Sequence, residues 1–137
     1  MIDKSRILGK VDELNTYLSE LMQIMPERFE DYKKIEKRRS CERLIQLCIE
    51  CTIDVCKLFV SGLRLGLPSE EIDLFHKLEE KKILSDKMVL KLKEMRGLRN
   101  ILVHEYAQVD NELVFKNLKT RLQDFEDFKK EILSAMR

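Results

Sequence analysis

At 137 residues and 16.3 kDa the chain is long enough for one real hydrophobic core and too short for two. It holds 4 glycines and 2 prolines, about 4% of the chain against roughly 12% in average proteins; that scarcity of turn formers argues against a sandwich, barrel or propeller. Hydrophobic residues at 44% and charged residues at 37% suit amphipathic helices rather than disorder, and 26 Lys/Arg against 25 Asp/Glu leave a net charge of +1, which gives no case for nucleic-acid binding by overall charge.

Residues 3–25 place Leu8, Val11, Leu14, Leu18, Leu21, Met22 and Met25 on one stripe with charged residues around it, which predicts an amphipathic helix ended by Pro26. Residues 27–66 predict the longest helix. Its first part, Glu27 to Arg39, is polar and includes the basic run Lys33-Lys34-Ile35-Glu36-Lys37-Arg38-Arg39. Its second part is apolar nearly all round, from Leu44 and Ile45 to Phe59 and Val60. Gln46, Glu50 and Lys57 share a wetter strip, with Asp54 beside it as a candidate buried hydrogen-bonding group. Gly62, Gly66 and Pro68 close this segment. Ser69-Glu70-Glu71 reads as an N-cap followed by acids that the helix dipole favours, opening a short helix that buries Ile72, Phe75 and Leu78. Ser85-Asp86 starts the next, with Met88, Leu92, Met95 and Leu102 inward. Asp110-Asn111-Glu112 opens the last, with Val114, Leu118, Leu122, Phe125, Ile132 and Met136 on its apolar side. The expectation is an all-α bundle of about five helices over residues 1–137, with short connections and antiparallel neighbours.

No apolar run reaches the ~18–20 residues of a membrane span, and no compact apolar stretch follows the N-terminus, so no secretory leader is expected and the expected location is the cytoplasm. Cys41, Cys48, Cys51 and Cys56 fall on one predicted helix. Cys48-x-x-Cys51 alone does not supply the four ligands of a structural zinc, and the only histidines are His76 and His104; the thiols read as small apolar fillers, and no metal or cofactor is expected. The central helix offers apolar surface on more sides than a chain of this size covers easily, so a symmetric homodimer is expected.

No phosphate-cradling glycine loop, His-Glu-x-x-His or serine elbow is present. The acid pairs Glu70-Glu71 and Glu79-Glu80 read as solvated faces, and His76 as ordinary surface. What remains is Arg96-Gly97-Leu98-Arg99-Asn100-Ile101-Leu102-Val103-His104-Glu105-Tyr106, a density of polar groups at the end of an otherwise apolar helix. On a helix Asn100 and His104 lie about 40° apart, while Arg99 and His104 lie about 140° apart and ~7.5 Å along the axis, a span that a long arginine side chain can cover. Such a set suits phosphodiester cleavage in RNA: imidazole takes the proton of a 2′-OH or protonates the leaving oxygen, and guanidinium holds the phosphate. One histidine does not readily serve as base and acid in one pass; two copies meeting at a dimer axis supply two. The same residues also fit a plain reading, in which His104 caps a helix, Arg99 makes a surface ion pair and Tyr106 packs.

Arg99-Asn100-x-x-x-His104-x-Tyr106 resembles the signature of the HEPN superfamily, and more closely the Arg-x-x-x-x-His-x-Tyr of the HepT-like ribonuclease toxins. The resemblance extends over nearly the whole chain, through the central Glu42 to Asp54 helix and the Pro68-Ser69 turn to the motif and the final helix. It implies a dimeric helical bundle with a composite site at the interface, a metal-independent endoribonuclease acting on RNA, and a nucleotidyltransferase antitoxin as partner that adds AMP to the motif tyrosine. Carried over, Arg99 and His104 are the catalytic pair, Asn100 supports them and Tyr106 is the modification target; Arg96, outside the carried-over motif, adds charge beside it as a supporting residue. Two other readings stay open: a non-catalytic helical module that docks a nucleotidyltransferase and holds nucleotide or RNA, and a plain structural bundle.

Overall fold

The computed structural model describes residues 1–104 and 109–137. Among them are seven helices and no strand: α1 Lys4–Ile24, α2 Phe29–Tyr32, α3 Ile35–Gly62, α4 Glu71–Glu80, α5 Asp86–His104, α6 Asn111–Thr120 and α7 Gln123–Ala135. The all-α expectation holds, and the count of five is corrected to seven. The predicted 27–66 helix divides into α2 and α3, because Lys34 is extended at φ −61° and ψ 130°. The predicted last helix divides at Arg121, which turns the chain while its Nε bonds the carboxylate of buried Asp124 at 2.8 Å.

Helix α1 lies antiparallel along α3. Its apolar stripe is Ile7, Val11, Leu14, Leu18 and Leu21, a 4-3-4-3 spacing that keeps one face inward. Leu8 and Met22, expected on that stripe, are exposed. The pairing is closed at both ends: the Met1 ammonium donates to the Gly62 carbonyl at 2.8 Å, and Lys37 Nζ donates to the Ile24 carbonyl at 2.9 Å. Gly62 is required here, since a Cβ would meet the Ile2 Cα at 2.8 Å.

Helix α3 is the axis of the bundle. Ile45, Cys48, Ile49, Cys51, Ile53, Val55, Cys56, Phe59 and Val60 are all buried within one chain. The apolar excess that suggested a dimer is therefore covered mostly by α1, α4 and α5 of the same chain. Asp54, a candidate buried group, is instead half-exposed and lies 3.4 Å from Lys10. The basic run is largely engaged in local contacts: Arg39 pairs with Glu42 at 2.9 Å, and Lys33 lies over the Phe29 ring.

After α3 the chain turns through Arg64 and Gly66, both at positive φ, the latter at 99°, a conformation glycine adopts without strain. Helix α4 buries Leu74, Phe75 and Leu78; Ile72 is only half-buried. Its N-cap is Glu70 rather than Ser69, whose N–H and hydroxyl both donate to Asp73. Helix α5 begins as expected at Ser85, which accepts from the Met88 N–H at 3.1 Å. Glu131 of α7 receives both the Ser85 N–H and its hydroxyl at 2.7 and 2.9 Å, and Lys91 reaches Asp127 at 3.1 Å, so α7 runs antiparallel to α5. The effect is to present the C-terminal half of α5 between α4 on one flank and α6–α7 on the other.

Candidate functional site

Four of the five residues singled out in the sequence lie on the last turns of α5. Taking buried Met95 as the inward direction, the 100° helical increment puts Arg99 close to that direction, Arg96, Val103 and Asn100 on one flank, and His104 outermost, beside Gly97. The polar residues are therefore not scattered. Arg96, Arg99, Asn100, Val103 and His104 line one open depression of about 630 Å³, joined by Glu50 of α3 and Glu71 of α4. Tyr106 lies outside the described residues.

Within the depression Arg99 is the most fixed group, its side chain only 13% exposed. Its Nε donates to Asn100 Oδ1 at 3.0 Å, and its Nη2 donates to Glu71 Oε1. Arg96 Nε donates to the same Glu71 oxygen at 3.0 Å. Glu50 accepts from Gln46 at 3.1 Å, as expected of a wet strip on α3. His104 is exposed and ends the helix, where its ring is open to an incoming group.

Glu71 corrects the sequence reading. Its pairing with Glu70 reads in the sequence as a solvated face, and in the fold it instead bridges Arg96 and Arg99. Its position in the first turn of α4 carries no local signal of this. Only the antiparallel packing of α4 on α5 brings it to Arg99, 28 residues away. Glu50 was read as wet, correctly, and the sequence did not connect it to the motif. His76 is a surface group whose Nδ1 lies 3.2 Å from Glu79, and it takes no part in the depression.

The arrangement can hold an anion. Arg99 Nη1 makes no hydrogen bond among the described residues, and an exposed imidazole stands at the same rim. A fixed guanidinium with a free donor edge next to an imidazole is a pairing that phosphate chemistry uses.

Arg99, Asn100 and His104 thus line one depression of an all-α bundle. The chain belongs to the family described as "Ribonuclease HepT-like", which it matches over residues 14–132. It is 26% identical to the mRNA nuclease HepT of Shewanella oneidensis over 122 residues, covering 89% of this chain and 92% of that one. It is 29% identical to the tRNA nuclease HepT of Aphanizomenon flos-aquae over 128 residues, covering 93% and 87%. Its fold superposes on the tri-AMPylated Shewanella oneidensis HEPN toxin, solved in complex with an MNT antitoxin, with a TM-score of 0.88, 26% identity and coverage of 98% and 99%.

Proposed function

We propose that this protein is an endoribonuclease toxin of a toxin–antitoxin pair, cutting RNA without a metal at a composite Arg/His site between two copies of the chain. The observation that carries the reading is the gathering of Arg99, Asn100 and His104 around one depression in a HepT-like chain. The relatives described as mRNA and tRNA nucleases support RNA as the substrate class.

In this reading Arg99 Nη1 and the remaining N–H of Nη2 bind non-bridging phosphate oxygens and offset the charge that builds in the transition state. A neutral His104 takes the 2′-OH proton, the 2′-oxygen attacks phosphorus, and the imidazolium of the partner's His104 protonates the departing 5′-oxygen. The products are a 2′,3′-cyclic phosphate and a 5′-hydroxyl. Each chain has one histidine in the depression, so two copies supply the two proton-transfer groups.

Arg96 supports Arg99, and Tyr106 is the residue we assign to control. The solved relative in its AMP-bearing, antitoxin-bound form supports a nucleotidyltransferase as this chain's partner. An AMP on Tyr106, two residues past His104, brings a phosphate that pairs with Arg99 and repels an RNA backbone.

The test is cleavage of bulk transfer RNA and of a synthetic messenger in the presence of chelator. The wild type is expected to cut RNA, not DNA, and to leave cyclic phosphate ends. His104→Ala is expected to lose ~10²–10⁴-fold in rate while keeping its helical circular dichroism, as for loss of a general acid–base group, and Arg99→Ala to fall similarly. Tyr106→Phe is expected to cut RNA and to resist silencing by the cognate nucleotidyltransferase with ATP. A fully active His104→Ala protein, or cleavage that stops with chelator, overturns the mechanism. An unaltered intact mass for the wild type after co-expression with that enzyme overturns the control.

A further inference from the structure

One carboxylate oxygen of Glu71 receives hydrogen bonds from both Arg96 Nε and Arg99 Nη2. This contact is costly to explain as surface decoration. A site that binds a polyanion gains no affinity from an acid at its mouth, because like charges repel across a few ångströms. Nor is the contact needed to hold α4 against α5, since Leu74, Phe75 and Leu78 already bury α4 in the core. Arg96 and Arg99 are three residues apart on α5 and converge on one point, where two bare guanidiniums would repel each other.

We infer that Glu71 is a positioning residue for RNA cleavage: together with Asn100 it fixes one edge of the Arg99 guanidinium, so that the remaining donors are presented in a set direction to the scissile phosphate. The inference rests on the reading of Arg99 as the phosphate-binding arginine. Arginine has a long flexible stem, and catalysis requires its fork to be held to within about half an ångström. Nε is held by Asn100 from the same helix and Nη2 by Glu71 from another, so rotation about the stem is stopped from two directions. The carboxylate is itself anchored, in the first turn of a ten-residue helix with three buried side chains. That anchoring argues against a carboxylate that swings away to admit substrate. It also sets the charge: Glu71 neutralises one of two adjacent cations, trading affinity for alignment.

The trade predicts a split between turnover and binding that a merely structural tie does not produce. Glu71→Ala is expected to lower kcat by roughly 10–100-fold, the scale of a misplaced reacting group, while KM falls. Binding of a fluorescent 2′-O-methyl oligoribonucleotide is expected to tighten, with a salt dependence steeper by about 0.7 in the log–log slope as one more cation meets the strand. Glu71→Gln keeps an acceptor oxygen and is expected to retain more kcat than Glu71→Ala, and it carries the test if Glu71→Ala does not fold. The substrates are bulk transfer RNA and a synthetic messenger, assayed with circular dichroism on each variant. A kcat in the substituted protein equal to or above wild type overturns the positioning role. So does a loss of kcat that matches a lost folded fraction, with oligonucleotide binding unimproved. A wild type that cuts neither RNA overturns the ribonuclease reading and this role together, whereas a cutting wild type beside an equally fast Glu71 variant overturns this role alone.

Discussion

Cys41, Cys48, Cys51 and Cys56 are buried free thiols, and burial pushes each one up, Cys51 to about 11 and Cys48 to about 12. They are protonated and inert at neutral pH, as fillers should be. A thiol whose folded value lies above its unfolded value of about 9 contributes stability that is complete below pH 9 and is lost as the pH rises toward the folded value. Urea unfolding is therefore expected to show a falling midpoint from about pH 9 upward. The Cys48 share alone is on the order of 2 kcal/mol by pH 10.5, and the fall should be shallower in Cys48→Ala. Iodoacetamide at pH 8 should leave the native chain unmodified over minutes and label four cysteines in urea; rapid native labelling would contradict the burial. The burial of the thiols was legible in the sequence because all four fall on one predominantly apolar helix. The gathering of Arg99, Asn100 and His104 in one depression was legible too, since they fall within a turn and a half of one helix and a long arginine side chain covers the span. Glu71 was not, because its role comes from a packing contact between two helices and its local surroundings are those of any acid in a first turn.

The helices that begin with a side-chain cap were found at their true starts. Ser85 and Asp110 both accept from the N–H three residues on, at 3.1 Å. Asp110→Ala removes that acceptor and is expected to cost about 1 kcal/mol, read as a lower urea midpoint with an unchanged slope. No loss of stability would mean that α6 does not depend on its cap. The two breaks that the sequence hid carry no glycine or proline. Tertiary contacts make them: the Phe29, Tyr32 and Phe115 rings cluster within 5.2–6.2 Å where α2 meets α6. Arg121, between α6 and α7, spans to Glu94 at 2.7 Å as well as to Asp124. Hydrophobic period runs unbroken through the second place, from Val114 and Leu118 to Phe125 and Ile132, so a pattern read along the chain gives one helix where packing makes two; at the first, the polar run from Glu27 to Arg39 holds no glycine or proline to mark the stop.

At the scale of the whole molecule, the proposed second copy needs a face to dock on, and α3 no longer supplies it. We propose the side of α5 that carries Gly97 and His104. On its other flank, Leu98 and Ile101 of α5 border, with Leu113 and Leu122, an apolar groove of about 310 Å³ between α5 and α6–α7, and Leu113 is exposed. Gly97 lies between groove and depression, and a Cβ built on it meets nothing within 4 Å among the described residues. A glycine inside a helix costs about 0.5–1 kcal/mol relative to alanine, and no neighbour among the described residues requires one there. A second α5 crossing closely at Gly97, the contact we propose, needs a small residue there and brings the two His104 rings, on the same side of the helix, to the seam. Gly97→Leu is therefore expected to leave the fold intact, because the chain has room for the side chain, and to block the close approach. Light scattering at micromolar concentration should give twice 16.3 kDa for the wild type and 16.3 kDa for the variant, with RNA cleavage lost in the variant. Mixing Arg99→Ala with His104→Ala chains should restore part of the activity if each site draws on both copies. A wild type that cuts RNA as a monomer, or a Gly97→Leu protein that stays dimeric and active, would place the seam elsewhere and remove the composite site.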